Sequence, residues 1–425
     1  MRNWLGCATL LALAAAPQAA AEGYAGFTQE QARSLHGCWD SDNWDDGGEL
    51  SRYVWLNMIE FWPHAVIDRG GPVRRLPPTV RQDVANFVTR TDLGELRLAD
   101  YVSRTTVDGL IVLHEGRIVF EAYPRMFEYE KHIHMSISKA FTSTLVAILE
   151  DRGLVDAAKP VDEYLPELEG SGWAGVPVLD ILDMASGIGC LEGEEGAYEN
   201  PETCYYQYEA GLGWMTPSEE TPDDPYAYVA SLESHRPPGE AFEYTSPNTF
   251  VLAWLIERVT GRRYVEVLES EIWQRMGAES DAYITAPRRG IPIVHAGVSS
   301  TLRDVARFGL LFTPTGRIVT APVVSDAYLA KIQQGGRPEI FNAGSEDDPR
   351  LIDGEPPRHN TYQWDFVMED GDFFKGGYGG QGLYVSPSRD LVVAFFGTMN
   401  ADGSGHRLTD VARQLAKSGL FEIPL

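Results

Sequence analysis

A chain of 425 residues with 44% hydrophobic content has material for a large core and length for two or three domains. Its formal net charge of -27 argues against nucleic acid or an anionic membrane as partner, because like charges repel and no counterions are released. A solvated acidic shell accounts for that charge without invoking a cationic substrate.

Residues 1–21 read as a secretory signal: Arg2 precedes an apolar run through Ala16, and Ala19-Ala20-Ala21 offers small residues for cleavage before Glu22. The mature protein is therefore expected to be exported, to the periplasm or the medium. Cys7 lies too early in the segment for a lipoprotein box. No later segment has the roughly 18 uninterrupted apolar residues of a membrane span. From 22 to 103 the chain is rich in Trp, Gly, Pro and Asp without a long period, which predicts an irregular N-terminal wrap. The remaining residues, 104–425, are expected to form one large domain.

That domain begins with a hairpin, because Leu110-Ile111-Val112-Leu113 and Arg117-Ile118-Val119-Phe120 flank a Glu115-Gly116 turn. A short strand with His132 and His134 in alternation follows. From Ala140 to Leu149 nearly every residue is apolar or small, so a helix there has no polar face and must be buried, and Gly153 supplies its stop. Ser136 and Lys139, three residues apart at its positive end, share one helix face. Burial and the helix dipole both disfavour the ammonium form, so Lys139 is placed to take the Ser136 proton and activate it as a nucleophile. Ser-x-x-Lys is also the first motif of β-lactamases and penicillin-binding proteins. A capping serine with a solvent-seeking lysine is the bland alternative. Ser138, next to Lys139, points to another side of the helix.

The tract from Ile188 to Pro225 is long and aromatic, and Tyr198 and Trp214 in it are candidates for a binding loop or lid, with a surface insertion as the other reading. Cys190 and Cys204, in an oxidising compartment, close a loop of about 15 residues worth roughly 3 kcal/mol. Cys38 is then left over and expected to be buried. Ser246-Pro247 reads as the cap and first turn of an apolar helix to Val259, ended by Gly261. Tyr244 stands just ahead of it, where a phenol can enter a cleft, and Asn248 lies just inside. A helix from Leu302 to Leu311 carries Arg303, Asp304 and Arg307 on its polar side. The glycine-dense run Lys375 to Gly382 leads into a hairpin with Leu391 to Phe396, and an amphipathic C-terminal helix covers the sheet. No His-Glu-x-x-His or similar spacing suggests a metal, no cofactor is implied, and no Gly-x-Ser-x-Gly elbow suggests an α/β-hydrolase.

Together these segments resemble the serine β-lactamase-like hydrolases, in the branch that holds class C β-lactamases, serine esterases and 6-aminohexanoate-dimer hydrolases. The resemblance spans about Phe61 to Gly397. It includes Phe61-Trp62-Pro63-His64, Asp183-Met184-Ala185-Ser186-Gly187, Tyr244 with its helix, Asp304-Val305-Ala306-Arg307-Phe308-Gly309, and Gly380-Gln381 before Leu383-Tyr384-Val385. It implies an α/β (α+β) fold: an antiparallel sheet from 104–130 and 360–425 flanked by helices, with an all-helical lobe at about 150–300. It further implies Ser136 as nucleophile, Lys139 as proton acceptor, Tyr244 as proton relay, and the backbone N–H groups of Ser136 and Gln381 as the oxyanion hole. Tyr-x-Ser at Tyr244 to Ser246, in place of Tyr-x-Asn, points to the 6-aminohexanoate-dimer hydrolase branch. For the third motif Tyr378-Gly379-Gly380 is favoured over Lys375-Gly376-Gly377, which would leave no cation for a substrate carboxylate. The expected substrate is then a small ester or linear amide. A β-lactamase, a D-Ala-D-Ala carboxypeptidase and a catalytically silent binder of cell-wall fragments are the alternatives.

Overall fold

The computed structural model describes residues 24–318, 321–344 and 351–422. The expected signal segment, with Cys7, lies outside them. Among the described residues no helix is long and apolar enough to cross a membrane.

The central element is an antiparallel sheet of seven strands, in the spatial order Arg117–Ala122, Val107–His114, Leu391–Gly397, Gln381–Ser386, Phe373–Gly377, Trp364–Val367 and His359–Thr361. The predicted hairpin is present, with Glu115 and Gly116 both in the left-handed region that its two-residue turn requires. Val107–His114 pairs with Leu391–Gly397, so strands from the two ends of the domain meet in the middle of the sheet. Both faces of these two strands are buried. The C-terminal helix Leu408–Ala416 covers one face with Leu408, Val411, Ala412 and Leu415. The helices Ser138–Asp151 and Leu302–Leu310 pack on the other side, within the larger core.

Three expectations change. The region at 150–300 is not all helical, because His64–Ile67, Ala282–Thr285, Val298–Ser300 and His132–Ile133 form a second antiparallel sheet of four strands. Its strands are two to four residues long and scattered through the sequence, too short to show a period. The segment at 22–103 supplies one of those strands, the helices Gln29–Cys38 and Gly48–Leu56, and a hairpin at Val88–Thr91 and Gly94–Arg97, so it is a structured wrap. Asp304 and Arg307 are buried, not solvent-facing: Asp304 accepts from the N–H groups of Glu279 and Ser280, and Arg307 pairs with Asp304 at 3.0 Å and Glu279 at 2.7 Å. A charged pair can occupy an interior face when its hydrogen bonds are met inside the protein.

Cys190 and Cys204 form a disulfide, which ties the start of the long aromatic tract to the helix Cys204–Leu212. Cys38 is half-buried, not fully buried as expected.

Candidate active site

Ser136 sits in a tight turn, Met135–Ile137, that runs directly into the buried helix Ser138–Asp151. Between His132 and Leu149 it is the one residue that is not buried, so the chain surfaces at that hydroxyl alone. Met135 takes a left-handed φ of 48°, which costs a side-chain-bearing residue of the order of 1 kcal/mol or more. The flanks are anchored: His134 Nε2 meets Ser300 Oγ at 2.7 Å, and Ser138 Oγ accepts the Val298 N–H at 3.3 Å. Burial pulls the His134 imidazole down to about 3, so it is neutral.

Lys139 is fully buried, and its Nζ donates to Ser136 Oγ at 2.9 Å and to the His295 carbonyl at 3.4 Å. Burial pulls its pKa down to about 8; Lys375 pulls the same way, while Glu192, Asp365 and Glu209 oppose. A lysine in this state has a substantial neutral fraction near neutral pH, as a proton acceptor needs.

Tyr244 closes the other side. Its ring lies 4.8 Å from Lys139 Nζ and 4.7 Å from Lys375 Nζ, measured to the centroid. Its hydroxyl accepts from Lys375 Nζ at 2.9 Å and has a hydrogen-bond contact with Ser136. Burial, reinforced by the charges of Asp365 and Glu192, raises its pKa well above the ordinary value, so the phenol stays protonated. The following helix Pro247–Thr260 starts at Ser246 as expected, but Ser246 makes no side-chain cap. Its hydroxyl donates instead to Glu192 at 2.5 Å.

These groups open on a cavity of about 960 Å³. Of the expected binding residues, Tyr198, Trp214 and Tyr378 line it. Asn248, Gly379, Gly380 and Gln381 are not in its wall. Asn248 is buried, with its amide on Met184 Sδ. Gly379 has φ +82°, and a Cβ there would stand 2.1 Å from the Trp55 ring, so its role is the hairpin turn. The Gln381 side chain donates to the Tyr378 carbonyl and accepts from the Gly397 N–H, while its backbone pairs with Gly377.

The third-motif register also differs from the favoured one. Lys375, not Tyr378, reaches Tyr244, and Gly376 and Gly377 follow it along the cavity wall. A Cβ at Gly377 would lie 2.4 Å from the His134 carbonyl oxygen, so only glycine lets this strand press against the Ser136 turn. Lys375 is fully buried and paired with Asp365 at 2.5 Å; the other Asp365 oxygen accepts the Gly376 N–H at 2.7 Å.

Sequence reasoning missed Asp365, although an acid inside the strand Trp-Asp-Phe-Val is a visible anomaly in an otherwise buried segment. It also missed Trp44, Asp45 and Asp46 from the N-terminal wrap, and Glu209 with His295, whose Oε1 and Nε2 are 2.9 Å apart. Nothing local marks these residues. Burial, with Asp46 beside it, pushes Asp45 up to about 7. Among the described residues no group of three or more His, Cys, Asp or Glu side chains is arranged to hold a metal ion.

Fold and site together define a serine hydrolase with a serine, a buried lysine and a tyrosine around one hydroxyl. The chain belongs to the β-lactamase family, whose model, Beta-lactamase, matches residues 101–417. It is 34% identical over 354 residues to the 6-aminohexanoate-dimer hydrolase of Paenarthrobacter ureafaciens, an alignment covering 83% of this chain and 86% of that protein. A solved structure from Bacillus anthracis, described as a candidate 6-aminohexanoate-dimer hydrolase, shares the fold with a TM-score of 0.77 at 24% identity, covering 90% of this chain and 96% of that one. A family VIII carboxylesterase shares the fold more distantly, with a TM-score of 0.52 at 16% identity over 73% of this chain and 91% of its own.

Proposed function

We propose that the protein hydrolyses a small ester or linear amide through an acyl-Ser136 intermediate. The observation that carries this is the 2.9 Å contact between Lys139 Nζ and Ser136 Oγ at the floor of the cavity, with the amine held near a pKa of about 8 by burial. Neutral Lys139 removes the Ser136 proton as Oγ attacks the substrate carbonyl carbon. Tyr244, protonated and within reach of Ser136, delivers its proton to the departing alcohol or amine and regains one from the Lys139 ammonium, which returns that amine to its neutral form. Water then attacks the acyl carbonyl, its proton passes into the same network, and Ser136 is released with the acid product. The Ser136 N–H supplies one oxyanion donor. For the second we assign the N–H of Tyr378, the residue that continues the strand along the cavity wall, in place of Gln381.

Likeness to a 6-aminohexanoate-dimer hydrolase supports short linear amides as one substrate class. Purified protein and Ser136→Ala, assayed on p-nitrophenyl esters, nitrocefin and the linear 6-aminohexanoate dimer, test the reading. Ester or dimer turnover that vanishes in the variant is the expected result, and turnover retained in Ser136→Ala overturns the nucleophile. The protein is exported in this reading, which a structural disulfide at Cys190 and Cys204 favours because such bonds persist in oxidising compartments. N-terminal sequencing of the mature chain should begin near Glu22.

A further inference from the structure

The cavity wall carries Asp42, Asp45, Asp46, Glu192, Glu199 and Glu209 besides Asp365, and among the described residues Lys139 is the only lysine or arginine on it. A second strong cation, Lys375, lies just behind Tyr244, where it could hold an anionic group bound beside Ser136. Asp365 meets it first. Its Oδ1 is 2.5 Å from Lys375 Nζ, its Oδ2 is held by the Gly376 N–H, and its side chain is 18% exposed on the cavity side. The carboxylate is thus fixed by two contacts from the strand it pairs with, Trp364–Val367 against Phe373–Gly377. Swinging aside would break its pair with a buried ammonium, which is costly. A substrate carboxylate near the scissile bond would face a cancelled charge and an acidic surround.

We infer that Asp365 is a specificity-determining residue: by neutralising Lys375 it makes the site reject substrates that carry a carboxylate close to the scissile carbonyl, in favour of neutral ones. This rests on the reading of Ser136 as nucleophile and adds to it a substrate class. A carboxylate several methylenes from the scissile bond, as in a linear aminoacid dimer, escapes the exclusion because it lies outside the reach of this pair.

Two matched esters that differ only in charge test it, 3-acetoxybenzoate and 3-acetoxybenzamide, compared by kcat/KM. Wild type should favour the uncharged ester by about tenfold or more. Asp365→Asn removes the charge and leaves one acceptor oxygen for the two donors, Lys375 Nζ and the Gly376 N–H. It should raise the benzoate-to-benzamide ratio by about tenfold, and adding Lys375→Met should cancel that gain. Asp365→Ser gives the same reading should the amide variant fail to fold. A wild type that prefers the benzoate overturns the inference. So does an unchanged ratio in an Asp365 variant that still cleaves the benzamide, or an equal loss on both esters in a folded variant, which would make Asp365 a positioning residue for Tyr244. Failure of the nucleophile reading looks different, since both esters would then still be cleaved by Ser136→Ala.

Discussion

The two walls of the cavity are built in different ways. The inner wall, Ser136, Lys139, Tyr244 and Lys375, hangs on the ends of two buried 14-residue helices and on a strand of the seven-stranded sheet. The outer wall comes from the wrap around Trp44 to Asp46 and from the tract between Cys190 and Trp214, joined where Trp44 and Trp214 meet with ring centroids 5.1 Å apart. Lys139 and Lys375 are fully buried and Ser136 and Tyr244 half-buried, and the hydrogen bonds at Lys139 and Lys375 join segments far apart in the chain. Several outer groups, among them Tyr198 and Glu199, are exposed. The Ser136 cluster is thereby placed on the part of the molecule that is hardest to move, and much of the contact surface on a part that can vary without unfolding the rest.

Substitutions should split along the same line. Ser136→Ala should lower kcat on any ester by about 10³-fold or more with folding unaffected, read by turnover and thermal melting. Lys139→Met should cost about 10²–10⁴ in kcat. Because the neutral amine is the acceptor, wild-type kcat/KM should rise with pH and level off above about 8, and a limb near 6 instead would remove Lys139 from that role. Tyr244→Phe should cost about 10–10³, more on an amide than on a p-nitrophenyl ester, whose leaving group needs no proton. Equal losses on both would argue that the phenol only packs.

Outer-wall changes should be milder and fall on binding. Removing the disulfide with Cys190→Ala and Cys204→Ala should destabilise by about 3 kcal/mol, seen as a lower melting temperature, and raise KM more than it lowers kcat. Tyr198→Ala, at a residue 43% exposed on the cavity rim, should shift KM by less than about tenfold and leave kcat unchanged. A kcat loss as large as that of Tyr244→Phe would erase the distinction between the walls.

Ser136, Lys139 and Tyr244 were legible because their signals are local. Ser136 and Lys139 meet through helical spacing, Tyr244 precedes an apolar helix, and the Glu115-Gly116 turn announces the hairpin. The failures share a cause. Gly379 and Gly380 were placed by counting along a glycine-dense run, but which glycine faces a cavity depends on strand register and on what lies across it. Here Trp55 fills the space at Gly379, and the His134 carbonyl presses on Gly377. Asn248 was placed by nearness to Tyr244, and the helix turns it inward. Asp45, Glu209 and His295 carry no local mark at all.

By itself the sequence determined that Ser136 and Lys139 meet, the buried helices that hold the site and the cysteine pair, because helical period, turn chemistry and cysteine spacing act over a few to about 15 residues. Only the tertiary structure decided that Lys375 faces Tyr244, that Asp365 cancels its charge, and that the wrap closes the cavity with acids. Those contacts join residues from 10 to hundreds of positions apart, on different strands and loops. They exist because sheet pairing and core packing bring the segments together, and no spacing in the chain records that.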